Sequence, residues 1–165
     1  MKVPAHIEVF WQSFVRSQAE DPTPRFFEAF HFDDNEPSAN ELAQLVLAGR
    51  KRATAGLAWA YDAASVPLPK SGALSVVTDW AKLPLCVIET RRVEVVAFDE
   101  VTEEFAATEG EGDGSLSYWQ AAHWAYFGRE CQRIGRVLDA KMPVVCERFE
   151  VVFPSGPPMA ARRDG

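Results

Sequence analysis

The chain has 165 residues, of which 47% are hydrophobic and 25% charged, as is typical of one soluble globular domain. Its net charge of -7 argues against a protein that grips long duplex DNA, because neutralising many phosphates requires a basic face. The three cysteines, Cys86, Cys131 and Cys146, lie far apart without a CxxC pair, which argues against a disulfide framework or a zinc site.

The N-terminus is not expected to be a targeting segment, since His6 and Glu8 interrupt its apolar residues. No apolar run approaches the roughly 20 residues that a membrane helix needs. We therefore expect a cytoplasmic protein without a membrane partner. The acidic charge still permits a small basic pocket, so it favours a small substrate or a short single-stranded segment over a duplex.

Helical spacing of apolar residues predicts a first helix over residues 6–18, which the proline-containing residues 21–24 end. The aromatic sequence RFFEAFHF then predicts a short strand or an extended arm. Ser38, with Glu41 three residues later, matches a capping box and predicts the start of a second helix. Gly49 lies where a glycine ends such a helix.

A short helix is predicted over residues 57–64, followed by a strand at LSVVT and one long or two short strands in PLCVIETRRVEVVAF. Asp99 is expected to cap another helix, and residues 109–115 form a glycine-rich acidic loop. An aromatic helix over residues 117–133 and the strand MPVVCERFEVVF follow, whereas the tail at 155–165 is expected to be disordered. Strands interleaved with helices predict an α+β fold with the strands in a small barrel.

The basic cluster Arg50-Lys51-Arg52 follows the second helix, where positive charge often only complements the helix dipole. However, Gly49-x-Lys51-x-x-Thr54, between a helix and a strand, resembles the G-x-K-x-x-T signature of the ASCH family. The helix before it, PLPKSG, LCVIETRRVEVVAFDEVTEEFA and VCERFEVVF also look like the longer bacterial form of this family, over roughly residues 30–153.

This resemblance implies a PUA-like mixed β-barrel with flanking helices. Residues 1–24 would be an N-terminal helix and linker packed on the domain, residues 25–154 the ASCH domain, and residues 155–165 the tail. Members of the family are assigned to RNA binding, to ribonuclease activity or to hydrolysis of N4-acylated cytidines.

In the amide-hydrolysing members the working residues are a lysine, a threonine and a glutamate, which correspond here to Lys51, Thr54 and Glu109. Glu111 and Asp113 lie close enough to be alternatives for the glutamate. Thr54 offers a nucleophilic hydroxyl, and a lysine in a partly desolvated cleft loses basicity and can act as a neutral base. Glu109 would orient the lysine, bind the cytosine amine or carry a proton.

Further side chains are expected to bind substrate, either through an oxyanion or phosphate or by stacking on bases. They are Arg50, Arg52, Trp59, Tyr61, Lys70, Tyr118 and Trp124. On the aromatic helix, Trp119 and Phe127 share a face and are expected in the core. His123 is expected to be a packed side chain rather than an acid or base.

Each candidate also has a structural explanation: Thr54 suits a strand, Glu109 a loop surface and Lys70 a solvated turn. The acidic loop lacks the residue order of a calcium loop, so neither a metal nor another cofactor is expected. The resemblance therefore predicts an amidohydrolase acting on an N4-acylated cytidine or a related nucleoside. The alternatives are a ribonuclease acting on single-stranded RNA, a non-catalytic RNA-binding module, and a structural or regulatory domain that binds a partner.

Overall fold

The computed structural model describes residues 2–154, so the predicted tail at 155–165 lies outside the described residues. Within that range the chain forms five α-helices: α1 Glu8–Arg16, α2 Glu36–Leu47, α3 Ala58–Ala63, α4 Glu103–Glu109 and α5 Leu116–Ile134. It also forms five strands: β1 Phe26–Phe30, β2 Ala53–Leu57, β3 Leu74–Thr78, β4 Pro84–Ala97 and β5 Pro143–Phe153. The α+β class predicted from the sequence is confirmed.

Two helices are capped by residues other than those predicted. Asn35, not Ser38, caps α2, and its side chain accepts a hydrogen bond from the Ser38 backbone N–H. The capping-box prediction is wrong because Pro37, which lacks an N–H and suits the first helical turn, places the helix start ahead of it. Asp99 lies in a short 3-10 turn, and Thr102 caps α4 instead.

The strands form one mixed sheet with the order β1-β3-β4-β5-β2. β1 and β3 are parallel, whereas the other neighbouring pairs are antiparallel. PLCVIETRRVEVVAF forms one long strand, β4, whose pairing with β5 shifts register twice. Such bulges bend a strand and increase its twist, which favours a curled sheet over a flat one.

The helices cover the sheet with three apolar clusters. Trp11 and Phe14 of α1 are buried against Phe26 of β1 and residues of β3 and β4. α2 packs on the β3–β5 part of the sheet, and α5 places Trp119 and Phe127 in a third cluster. The prediction that these two aromatic side chains lie in the core is confirmed.

All three cysteines are buried free thiols, as expected for a chain without a disulfide framework. Among the described residues, no helix combines the length and apolar character that a membrane span requires.

Candidate active site

A cavity of about 370 Å³ lies between β1 and β2, with residues of α3 and α5 on its other sides. β1 and β2 are the two edges of the sheet. In a flat five-stranded sheet these edges would lie roughly 19 Å apart, because neighbouring strands are about 4.8 Å apart. Since both line one cavity, the sheet curls into an incomplete barrel, and the cavity occupies the gap between its edges.

Lys51 does not line this cavity but lies buried behind two glutamates that do, and the end of α2 fixes its position locally. Gly49 adopts a φ of 78°, and the N–H groups of Arg50 and Lys51 then donate to the carbonyl oxygen of Leu45 at 2.9 and 3.1 Å. The left-handed conformation of Gly49 thus ends α2, gives hydrogen-bond donors to a carbonyl of its last turn and directs the chain into β2. The signature spacing therefore corresponds to a helix end, one buried lysine and the start of a strand.

Lys51 is only 1% exposed and uses all three N–H donors of its ammonium group. Nζ donates to the Ala53 carbonyl at 2.7 Å, to Glu109 Oε2 at 2.8 Å and to Glu111 Oε2 at 2.7 Å. It also lies 5.1 Å from the centre of the Phe32 ring. A buried polar cluster whose hydrogen bonds are all satisfied makes the surrounding core rigid and favours a single packing arrangement.

Gly110 allows both glutamates to reach the same lysine. It ends α4 with a φ of 67°, and a Cβ at this position would lie 2.3 Å from the carbonyl oxygen of Arg50. Only glycine permits so close an approach of the two backbones. The chain therefore places Glu109 and Glu111 on either side of Lys51.

Glu109 is 1% exposed and is held from three directions. Besides Lys51, the Nε1–H of Trp119 donates to its Oε1 at 2.7 Å, and Nε2 of His123 lies 3.4 Å from the same oxygen. The His123 ring stacks on Trp119 at 4.2 Å, and its Nδ1 lies 3.0 Å from the Trp119 carbonyl oxygen. His123 is thus a packed side chain, as predicted, but it also lines the cavity.

Charge coupling sets the protonation of the cluster. Burial alone lowers the pKa of Lys51, but Glu109 and Glu111 together outweigh it and raise that pKa. The three acceptors of Nζ and the raised pKa favour an ammonium ion, in contrast to the neutral, basic lysine expected from the sequence. Burial favours the neutral form of Glu109, yet Lys51 keeps its pKa below the usual range. Burial, reinforced by Glu109, raises the pKa of Glu111 to about 8. At neutral pH the two glutamates thus share one proton, mainly on Glu111.

Thr54 lines the same cavity from β2. Its partner across the antiparallel β2–β5 ladder is Glu147, which also lines the cavity. Thr90 of β4 donates a hydrogen bond of 2.5 Å to Glu147 Oε2. Glu28 of β1 completes this end of the cavity, and burial followed by the charge of Glu147 raises its pKa to about 7. The sequence reasoning did not identify Glu28 or Glu147.

Tyr61 is the one predicted substrate-binding residue, of the seven, that lines the cavity. Its ring lies against Gly56, where a Cβ would be 3.1 Å from Tyr61 Cε2. Arg50 and Arg52 are exposed and border a separate, shallow recess beside the end of α4. These two arginines are therefore available to a ligand outside the cavity.

The other four predicted residues lie elsewhere. Trp59 is covered by the Arg136 guanidinium, 4.5 Å from its ring centre, and Lys70 is exposed in a turn. Tyr118 and Trp124 are 44% and 41% exposed on α5, away from the cavity lining. None of these four contributes a wall of the cavity.

Glu109, Glu111 and His123 each offer one atom to a group lying within 4.8 Å of one another, an arrangement that metal sites also use. In this structure, however, the same two carboxylates already accept hydrogen bonds from Lys51. The Lys51 ammonium group therefore already balances part of the negative charge of this cluster.

Similarity to known proteins identifies the class of domain to which this fold and site belong. A sequence model of the ASCH domain matches residues 28–153. The crystal structure of an ASCH domain from Lactobacillus crispatus JV V101 is 36% identical with a TM-score of 0.85, covering 92% of this chain and 97% of that one. A protein from Enterococcus faecalis V583 is 31% identical with a TM-score of 0.78, covering 97% and 93% of the two chains. No curated protein matches the sequence significantly.

The chain belongs to the ASCH domain family, and its α+β fold is PUA-like, as the resemblance implied. Membership associates it with RNA-binding and hydrolase-like functions.

Proposed function

We propose that this chain hydrolyses the exocyclic amide of an N4-acylated cytidine or a related modified nucleoside. The observation that carries the proposal is the presence of the Thr54 hydroxyl and the Lys51-bound carboxyl pair at a single cavity. Amide hydrolysis needs a nucleophile and a proton donor for the departing amine, and these two features supply both.

Thr54 is the proposed nucleophile, attacking the acyl carbon of the substrate. Glu111 is the proposed acid, because its pKa near 8 keeps a proton available at neutral pH for the departing N4 nitrogen. Lys51 and Glu109 position that acid through their short contacts. Positioned acids and bases of this kind contribute about 10²–10⁴-fold each to a rate.

The charge of the cavity supports an uncharged nucleoside as substrate. Six carboxyl groups line it: Glu28, Asp33, Glu109, Glu111, Glu130 and Glu147. The one lining guanidinium, that of Arg129, is bound in a bidentate pair by Asp34 at 2.7 and 3.1 Å. Because the lining is acidic and its one cation is already paired, a phosphate finds no free positive charge there, whereas a neutral base with an N–H donor finds acceptors.

The cavity volume of about 370 Å³ falls within the roughly 300–1,000 Å³ of small-molecule sites. A nucleoside is therefore of suitable size, and Tyr61 is the proposed aromatic surface beside its ring.

A second candidate, binding or cleavage of a short single-stranded RNA, is favoured by the exposed Arg50 and Arg52 beside their separate recess. Asp113 also borders that recess and weakens its positive potential. Salt distinguishes the two functions. RNA binding through phosphates should weaken steeply as salt rises, whereas hydrolysis of a neutral nucleoside should change little.

The test is incubation of the purified protein with N4-acetylcytidine and, in parallel, with a short single-stranded RNA, with released cytidine and RNA length measured by chromatography. Thr54→Val keeps the shape of the strand residue and removes the hydroxyl, so cytidine release should fall at least 10²-fold. Lys141→Met, at an exposed lysine bound to Asp99, serves as the matched control and should retain the rate. Cut RNA with intact nucleoside would overturn the amidase proposal.

A further inference from the structure

A nucleophilic hydroxyl needs an acceptor for its proton, and Lys51 cannot serve as that acceptor here. Its ammonium nitrogen donates to three oxygens at 2.7–2.8 Å and has no free lone pair. Its raised pKa, caused by Glu109 and Glu111 against the effect of burial, keeps it protonated. The base for Thr54 must therefore be another group at the cavity.

Glu147 is placed for this role by the sheet. Directly paired residues of antiparallel strands project from the same face, with Cβ atoms about 4.5–5.5 Å apart. Thr54 and Glu147 are such a pair, and both line the cavity. The Thr54 and Glu147 side chains thus project from the same face of the sheet into one cavity.

The hydrogen bonding of Glu147 leaves one oxygen available. Thr90 binds Oε2 at 2.5 Å, and Oε1 has no hydrogen-bond partner within residues 2–154. The side chain is mostly enclosed, with the residue 8% exposed. One oxygen of Glu147 is thus oriented by Thr90, while the other can still accept a proton.

The surroundings of Glu147 and Glu28 differ in the form of the carboxyl group that they favour. Burial is the largest cause of the raised pKa of each. The Thr90 hydrogen bond and the charge of Lys51 act in the opposite direction on Glu147, whereas the charge of Glu147 raises the pKa of Glu28 further. These contacts favour the ionised form of Glu147 and the neutral form of Glu28. From α3, Tyr61 faces the same pair.

We propose that Glu147 is the general base that takes the proton of Thr54, a role that rests on the proposed amide hydrolysis. The proton passes from Thr54 Oγ1 to Glu147 as the oxygen forms its bond to the acyl carbon. The carbon–N4 bond then breaks, and N4 takes the Glu111 proton to leave as cytidine. Water next attacks the Thr54 ester and gives a proton to Glu111. Glu147 returns its proton to Thr54 Oγ1 as the carboxylic acid departs, so the net reaction consumes one water.

The test is Glu147→Gln, whose amide oxygen keeps the acceptor for Thr90 while the basic carboxylate is lost. We expect kcat for N4-acetylcytidine to fall about 10²–10⁴-fold with KM little changed and the melting temperature retained. In the wild type, kcat/KM should rise as pH increases through the pKa of Glu147, and this acidic limb should vanish in the variant. Glu150→Gln, on the same strand with a 64% exposed side chain, is the matched control.

The outcomes separate this inference from the proposed function. If the wild type releases cytidine and Glu147→Gln does so at the same rate, the base assignment is overturned while the hydrolase stands. If the wild type releases none, the hydrolase proposal fails. Acyl transfer from p-nitrophenyl acetate to Thr54, followed by mass spectrometry, then decides the inference alone. Acylation that depends on Glu147 supports it, and equal or absent acylation in wild type and variant overturns it.

Discussion

Replacing Lys51 with methionine keeps most of the length of the side chain but removes its charge and three N–H donors. The change leaves Glu109, only 1% exposed, as a buried carboxylate without its ammonium partner. Breaking a buried ion pair in this way costs about 3–5 kcal/mol. For a domain of this size each kcal/mol lowers the melting temperature by about 2–4 °C, so we expect a decrease of roughly 6–20 °C.

The destabilisation should also depend on pH. In the wild type Lys51 holds the pKa of Glu109 below its unfolded value, so this carboxyl contributes stability that is present above about pH 4.5 and lost at lower pH. Without Lys51, burial raises that pKa, and the variant should lose stability as pH increases. Urea unfolding of wild type and variant at pH 5 and pH 8 measures the loss of stability and its dependence on pH. Glu109→Gln in the Lys51→Met background should restore part of the loss, and a pH-independent loss below about 1 kcal/mol would refute the reasoning.

Two further variants test the site through stability. Glu28→Gln should stabilise the protein at pH 8 by roughly 3 kcal/mol and leave its stability unchanged at pH 4. The reason is that burial raises the Glu28 pKa from 4.5 to about 7, and each pKa unit is worth about 1.4 kcal/mol. Equal melting temperatures of wild type and variant at pH 8 would contradict this. Gly110→Ala should lower the stability by more than about 2 kcal/mol, because the added Cβ would meet the Arg50 carbonyl. Gly114 also has a positive φ but lies in open space, so Gly114→Ala should lower the stability by only about 1 kcal/mol through backbone strain. Similar urea midpoints for the two variants would contradict the close-approach argument.

The family signature predicted where Lys51 and Thr54 lie because short spacing rules describe local structure. A glycine after a helix, a lysine two residues later and a β-branched residue in a strand form one continuous segment. The charge state of Lys51 was not predictable in the same way. It depends on Glu111, which reaches the lysine only because Gly110 lets two distant backbones touch.

Glu28 and Glu147 were missed although a weak signal for both exists. Successive strand residues alternate between the two faces of a sheet, so residues two positions apart share a face. Glu28 in FFEAF and Glu147 in VVCERFE each have aromatic or aliphatic residues two positions away and therefore face the same side as core side chains. A charge at a core-facing strand position marks a cavity more often than an exposed face. Tyr118 and Trp124 stay predictions as stacking residues, and their place outside the cavity lining follows from how α5 is rotated against Phe98 and other core residues.

The cavity lies between the two edges of the sheet, where no strand within residues 2–154 pairs with them. β1 and β2 are hydrogen bonded to a neighbouring strand on one side only, and the cavity separates their outer sides. A molecule that contacts both edges would connect the two ends of the sheet and stabilise the fold by mass action. Slower amide exchange in these two strands, more than in the central ones, would report that connection. The substrate would then complete a barrel that the polypeptide alone leaves open.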